Sequence, residues 1–460
     1  MGLKDLFSRK EEKRVQNEVK GNVQENTQGL VLGVLDTFQL LNTDDLVVIG
    51  KVKGTIHVGD AVYLSNVGED GGKTLLTTIK GIETGPGVAV KEASDCQVGL
   101  RLEKGKLHNI KKGTVLYSRD ASGAAVHNAY ISALGDTYVM RQNLELSDKD
   151  IEELSITDCA EIWRLFSWFH SKSAQTESEE AKQEYRRRRD KLCAAICKKI
   201  LEADAIYCVY SKDTGEPYLL SRTIRQDDGS YMCTPPDIMI FTDAYKTVLS
   251  AQFPEDRFEI KKIENGESKD GIYNFLGSTF YLNGACGVRV LSEQTAIGAD
   301  MLVPPPDYSN VKPQDIPVTN PDLVRWMLLL GQLEKPDGKD AEIIYNLYYR
   351  FMSKEMVKAR FLVPMQSEGE ISKGDESGEI VLKKDTSIKF PTMEGKYDKP
   401  AVHMYTDWKR LRMVYGTEWG GLVQPIEGMI EVFDCAINVT EYVKAGCYIS
   451  TDMFEEMKKL

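Results

Sequence analysis

The chain has 460 residues, 42% of them hydrophobic and 28% charged, the composition of a globular protein with room for about two to four domains. Its formal net charge of −12 argues against a protein devoted to nucleic acid, which needs clustered Lys and Arg. No apolar run approaches the roughly 20 residues that span a bilayer, no basic-then-apolar leader opens the chain, and nine scattered cysteines without a CxxC motif read as reduced thiols in a cytoplasm.

Residues 1–27 form a polar N-terminal segment. Leu3, Leu6 and Phe7 lie among Lys4, Arg9, Lys10, Lys13 and Arg14, a pattern that suits a short basic helix at an anionic membrane surface. A frayed, solvated terminus explains the same residues and is the reading favoured. The Met1-Gly2 start does not complete a myristoylation pattern, because position 6 is Leu.

Residues 28–118 read as β throughout. Short runs at Leu46–Val52, Ala61–Leu64, Leu75–Ile79 and Gln97–Leu102 are punctuated by Gly54, Gly59-Asp60, Asp70-Gly71-Gly72 and Gly85-Pro86-Gly87. Short strands at regular spacing predict a small all-β barrel. Val52, Ile56, Val62, Leu64, Ile79, Val98 and Leu100 are its expected interior. Gly54 and Gly59 stand where turns require positive φ, and Asp60 where a carboxylate can bind local backbone.

The run from Gly50 to Val62, GKVKGTIHVGDAV, resembles the second domain of elongation factor Tu and related translation factors. Thr78–Glu83, Asp95–Leu102 and Ile110–Leu116 are similar to that domain's following strands, in the same order. The resemblance implies a fold and leaves function open. The barrel's residues Gln28–Ser118 carry ten Lys and Arg against ten Asp and Glu, a balance without an electrostatic footprint for RNA. The loop Gly68–Thr74 mimics a P-loop but has three residues where a P-loop has four between its first glycine and the Gly-Lys pair. It also precedes a strand rather than a helix, so it is not a nucleotide site.

Residues 119–154 read as a linker. From Ile156 the period turns helical, with Cys159, Ile162, Trp163, Leu165, Phe166 and Phe169 on one stripe. A second helix is expected over about 179–202, followed by the strand Ala205–Tyr210. This plan recurs downstream. Helices around Leu323–Leu330 and Ile343–Phe351 precede the strand Arg360–Pro364. The block Ile238–Lys246 returns as Val402–Arg410, 164 residues later. The fold class expected is therefore multidomain: a small all-β barrel followed by two tandem α+β modules, residues 155–303 and 321–460. A stiff Pro-rich connector, residues 304–320, joins them.

The strand Phe361–Met365 after a helical pair, the Tyr405–Trp408 block, Phe390-Pro391-Thr392 and Cys435–Asn438 resemble the enhanced serine sensitivity (SseB) family of small bacterial α+β domains. The first copy departs further from that pattern at Cys208-Val209-Tyr210 and Gly284–Gly287. The resemblance implies no catalytic residues to carry over.

The repeated Thr242-Asp243 and Thr406-Asp407 pairs each end a strand and precede a helix, where they cap free amides and complement the helix dipole. Arg186–Arg189 is the one strong basic run. Glu179, Glu180 and Glu184 upstream offer i,i+4 ion pairs, so a solvated face is expected ahead of an acidic or RNA partner. Cys193 and Cys197, one helical turn apart, could give two metal ligands. Structural zinc usually takes four, so a buried thiol pair is the expectation. His57, His108, His127, His170 and His403 form no HExxH. His403 and Cys435 share one module and could approach each other.

No catalytic, cofactor or metal residue is assigned. The expected function is non-enzymatic: a protein-interaction or scaffold protein of the SseB type with an unidentified protein partner. The alternatives are a translation-associated factor using its barrel at the ribosome or tRNA, and an enzyme with a site between the two modules. Oligomeric state is left open.

Overall fold

The computed structural model describes residues 29–69, 75–140, 146–173, 178–368, 371–373, 380–382, 387–395, 399–441 and 444–460. The N-terminal segment and residues 70–74 of the P-loop mimic lie outside them. The chain divides into two compact units, Met1–Phe169 and His170–Leu460.

The first unit is built on six strands: β1 (Val31–Gln39), β2 (Leu46–Lys53), β3 (Ala61–Ser65), β4 (Leu75–Glu83), β5 (Gln97–Leu102) and β6 (Val115–Tyr117). They pair in the cyclic order β1-β2-β5-β4-β3-β6, every pair antiparallel, so the sheet closes into a barrel. Closure follows from the period-two pattern: inward residues of β2 and β5 alternate with outward ones. All seven expected interior residues lie in the barrel core. Gly54 and Gly59 adopt φ of 86° and 100°. The Asp60 carboxylate accepts the His57 amide at 2.8 Å, which ties the turn.

The segment read as a linker carries helices among its described residues. Helix α1 (Gly123–Leu134) is capped by Ser122, whose Oγ accepts from the Ala125 amide at 3.1 Å, and it runs into a π-helical turn, Gly135–Val139. Its small residues let β1 approach closely. A Cβ on Gly33 would stand 2.6 Å from the Ala129 carbonyl oxygen and 2.7 Å from the Ala133 Cβ. Helix α2 (Asp148–Glu153) starts in a capping box of Ser147 and Asp150. In helix α3 (Ile156–Ser173), Asp158 accepts a hydrogen bond from Tyr130 Oη at 2.7 Å. The unit boundary falls within α3, between Phe169 and His170, rather than at 154/155. The apolar stripe Cys159, Ile162, Trp163 and Phe166 thus belongs to the barrel's unit and is buried there.

The second unit opens with helix α4 (Glu179–Glu202), then strands β7 (Ala205–Ser211) and β8 (Asp237–Phe241), helix α5 (Asp243–Ser250), strand β9 (Phe258–Glu264), helix α6 (Gly271–Tyr281), strands β10 (Gly287–Val290) and β11 (Ala296–Gly298), and helix α7 (Ala299–Leu302). The sheet order is β9-β7-β8-β10-β11, antiparallel except for the parallel β8–β10 pair. Helices α8 (Pro321–Gly331) and α9 (Lys339–Lys358) follow. Then come β12 (Phe361–Glu368), β13 (Ala401–Met404), α10 (Trp408–Arg412), β14 (Gly420–Gln424), α11 (Glu427–Ile430), β15 (Asp434–Ile437), β16 (Cys447–Ile449) and α12 (Thr451–Lys458).

In this later part β14 pairs antiparallel with β12, β13 parallel with β15, and β15 antiparallel with β16. An antiparallel bridge between Leu362 and Tyr405 links β12 to the end of β13. Phe361 and Val363 pack with Val402, Met404 and Phe454 on one face, while Leu362 packs with Tyr405 and Leu411 on the other. Burial on both faces explains the unbroken apolar run in this strand.

The parts before and after the Pro-rich segment pack against each other. The Leu219 amide and carbonyl are both held by the side chain of Gln332, at 2.8 and 3.2 Å. Arg325 Nε donates to the Gly284 carbonyl at 2.6 Å, and the Lys444 amide to that of Thr214 at 3.0 Å. No helix among the described residues is long and apolar enough to cross a membrane.

Candidate functional site

The repeated Thr-Asp block leads to a densely bonded polar site in the second unit. After β13 the chain turns at Thr406, and Asp407 caps α10 by accepting the Arg410 amide on Oδ1 at 2.9 Å. Thr406 Oγ1 donates to Asp407 Oδ2 at 2.8 Å, and the Thr406 amide to Asn438 Oδ1 at 3.0 Å. These bonds fix the carboxylate before any partner arrives.

Arg410 then places its guanidinium between three acceptors. Nη1 donates to Asp407 Oδ2. Nη2 donates to Glu216 Oε1 at 2.9 Å and to Asn283 Oδ1 at 2.8 Å. Asn283 Nδ2 in turn donates to Glu216 Oε2 at 2.9 Å. Arg410 and Asp407 are each 1% exposed, Asn283 2% and Glu216 6%. Arg410 Nε has no hydrogen-bond partner among the described residues. A guanidinium this buried persists only when its charge is met and its donors are directed.

The first copy does not build such a site. Thr242 occupies the N-cap of α5 without a side-chain cap bond, and Asp243 is exposed in the first turn. Lys246, the counterpart of Arg410, is exposed with its ammonium 4.9 Å from the centroid of the Tyr207 ring. Capping therefore accounts for Asp407 directly, and for Asp243 only through its place at the positive end of the helix.

Glu216 and Asn283 also line a cleft of about 970 Å³ that runs over α6. Its walls include Tyr273, Tyr281 and Tyr308 and the prolines 304–306, with Lys409 at the edge. Tyr281 Oη donates to the Val303 carbonyl at 2.5 Å and holds the proline segment along the helix. Lys409 Nζ donates to Ser278 Oγ at 2.7 Å. Tyrosine and proline faces, one cation and fixed amide and carboxylate edges suit recognition by stacking and hydrogen bonding.

The other singled-out residues stay apart from this site. Arg188 pairs with Glu184 one turn back, the i,i+4 pair the charge pattern predicts, while Arg187 pairs with Glu184 at 3.0 Å three residues back and Arg189 with the adjacent Asp190 at 2.7 Å. His403 and Cys435 do not meet. Cys435 stands opposite Val402 and His403 opposite Ala436, so the two side chains leave opposite faces of the sheet. His403 Nδ1 instead meets Tyr415 Oη at 2.7 Å. Desolvation lowers the His403 pKa below its ordinary 6.5. Cys193 and Cys197 are buried side by side on α4. In the P-loop mimic, Glu69 pairs with Lys111 at 2.8 Å. Among the described residues no group of three or more His, Cys, Asp or Glu could hold a metal ion.

Sequence reasoning missed Glu216, Asn283 and the role of Arg410. The one available signal was that the duplicated block carries Lys246 in one copy and Arg410 in the other.

Fold and site together define a multidomain protein with a closed β-barrel unit and an α+β unit that carries a buried ionic network beside a tyrosine-lined cleft. The closed barrel fits the resemblance to the second domain of elongation factor Tu-type factors. No protein-family model matches the chain, and no curated protein matches it. Among solved structures it is similar to translation elongation factor SelB from Methanococcus maripaludis, in the apo form and in complex with the GTP analogue GPPNHP. Each is 22% identical with a TM-score of 0.18, over 25% of this chain and 25% of that one. The chain thus spans about a quarter of the length of those structures.

Proposed function

We propose that this is a non-enzymatic interaction protein of the cytoplasm, in which two SseB-like modules act as one rigid binding body joined to a translation-factor-type barrel. The tandem arrangement is supported by strand order. In the earlier part these neighbours form one sheet, β9-β7-β8-β10-β11. In the later part they fall in two, one pairing β14 with β12 and one ordered β13-β15-β16, joined by the single Leu362–Tyr405 bridge, and each part has one parallel pair in the corresponding place. The observation that carries the reading is the placement of Arg410, from the second module, in full burial between Glu216 and Asn283 of the first. That contact removes hinge freedom and leaves the cleft over α6 as a preformed surface for a protein partner.

A second reading, a translation-associated factor, draws on the barrel's closure around the Gly50–Val62 motif. Affinity capture of the full-length protein from its own cytoplasm, with and without nuclease, separates the two. A nuclease-resistant, non-ribosomal partner that is lost with Tyr273→Ala and Lys409→Glu supports the interaction reading. Ribosomal proteins that disappear with nuclease, and stay unaffected by those substitutions, overturn it in favour of the translation reading.

A further inference from the structure

We infer that Cys193, Cys197 and Met301 form a binding site for a soft monovalent metal ion, copper(I). Cys193 and Cys197 are one helical turn apart on α4, so their side chains lie over each other on one face. They are 5% and 8% exposed. The short helix α7 brings Met301 to Cys193, with its Sδ 3.8 Å from Cys193 Sγ. Metal–sulfur bonds of about 2.3 Å in a trigonal plane put the sulfurs about 4 Å apart. The apo spacing between Cys193 and Met301 already has that value.

The donor chemistry selects the ion. All three donors are sulfur, two thiols and one thioether, which suits copper(I). Zinc closes structural sites with four ligands, and among the described residues no third His, Cys, Asp or Glu joins the two thiols. Binding releases the two thiol protons and forms two thiolate–copper bonds and one thioether bond. The metal enters as copper(I) and no electron is transferred. Met301 is 53% exposed, so the thioether forms the entrance while the thiols stay shielded from oxidant.

The test is anaerobic titration of the reduced full-length protein with copper(I) in the presence of the chromogenic competitor bicinchoninate. One equivalent should be withdrawn from the competitor, with proton release. Cys193→Ser and Cys197→Ser should each abolish the withdrawal, and Cys435→Ser should leave it unchanged. Met301→Leu, at an exposed position that does not threaten folding, should weaken binding by about tenfold, the scale on which partners of a metal site act. Three results overturn the site: no withdrawal by wild-type protein whose thiols are titrated as reduced, equal withdrawal by the cysteine variants, or affinity unaltered in Met301→Leu. Tighter binding of zinc(II) than of copper(I) would also overturn it.

Discussion

Arg410 Nη2 and Glu216 Oε1 stand 2.9 Å apart although 194 residues of chain separate them. The pair belongs to a buried group with Asp407 and Asn283, so removing the cation leaves two shielded carboxylates facing each other. Breaking such a pair by deleting one partner typically costs about 3–5 kcal/mol. Arg410→Met should destabilise the protein by that amount in urea unfolding followed by circular dichroism. Lys246→Met, at the matching position of the first copy, should change stability by no more than about 0.5 kcal/mol.

Two glycines near α1 should respond with opposite signs to alanine. Gly33→Ala drives a methyl into the Ala129 carbonyl and the Ala133 side chain and should cost about 1–3 kcal/mol. Gly123→Ala meets nothing within 4 Å and should stabilise the helix by up to about 1 kcal/mol. Thermal melts of both variants, read in parallel with wild type, check the signs.

Acid should destabilise the second unit through His403. Burial lowers its folded-state pKa below the 6.5 of the unfolded chain. The unfolded state therefore takes up the proton first as pH falls below about 6.5, and stability drops from there down through the folded pKa. Above that window the contribution is constant. Chemical denaturation of wild type and His403→Gln between pH 7.5 and 5 should show a loss in wild type that the variant lacks. Equal pH profiles would remove His403 as the cause.

The thiols of Cys435 and Cys447 are both pushed up to about 12 by burial, Cys435 further by Asp434 and Cys447 by Cys435. At pH 8 neither presents a thiolate. Iodoacetamide labelling of native protein, mapped by mass spectrometry, should leave both unmodified, and labelling in urea should modify both.

The barrel was legible because each half-buried strand writes its own address. Val48 and Val52, like Val98, Leu100 and Leu102, fall at every second position, with glycine at the turns. Helix α1 was not legible because it buries alanines. Ala129 and Ala133 give almost no hydrophobic signal, although they permit the contact with Gly33. The Thr-Asp block was visible as a repeat and its capping in the second copy followed from local rules. The partners of Arg410 could not follow, since nothing in a local window ties position 410 to 216 or 283. The Cys193–Cys197 pair was likewise readable from helical spacing, whereas Met301 is brought in by tertiary packing alone.

The distance in chain between Glu216 and Arg410 also sets an order of events during synthesis. At about 5–20 residues per second, roughly 10–40 s pass between the emergence of one and of the other. Through that interval Glu216, joined by Asn283 after its first third, waits in water for its cation. The part of the chain that carries Glu216 and Asn283 therefore leaves the ribosome with an unfinished acidic face, which is sealed only when Arg410 arrives.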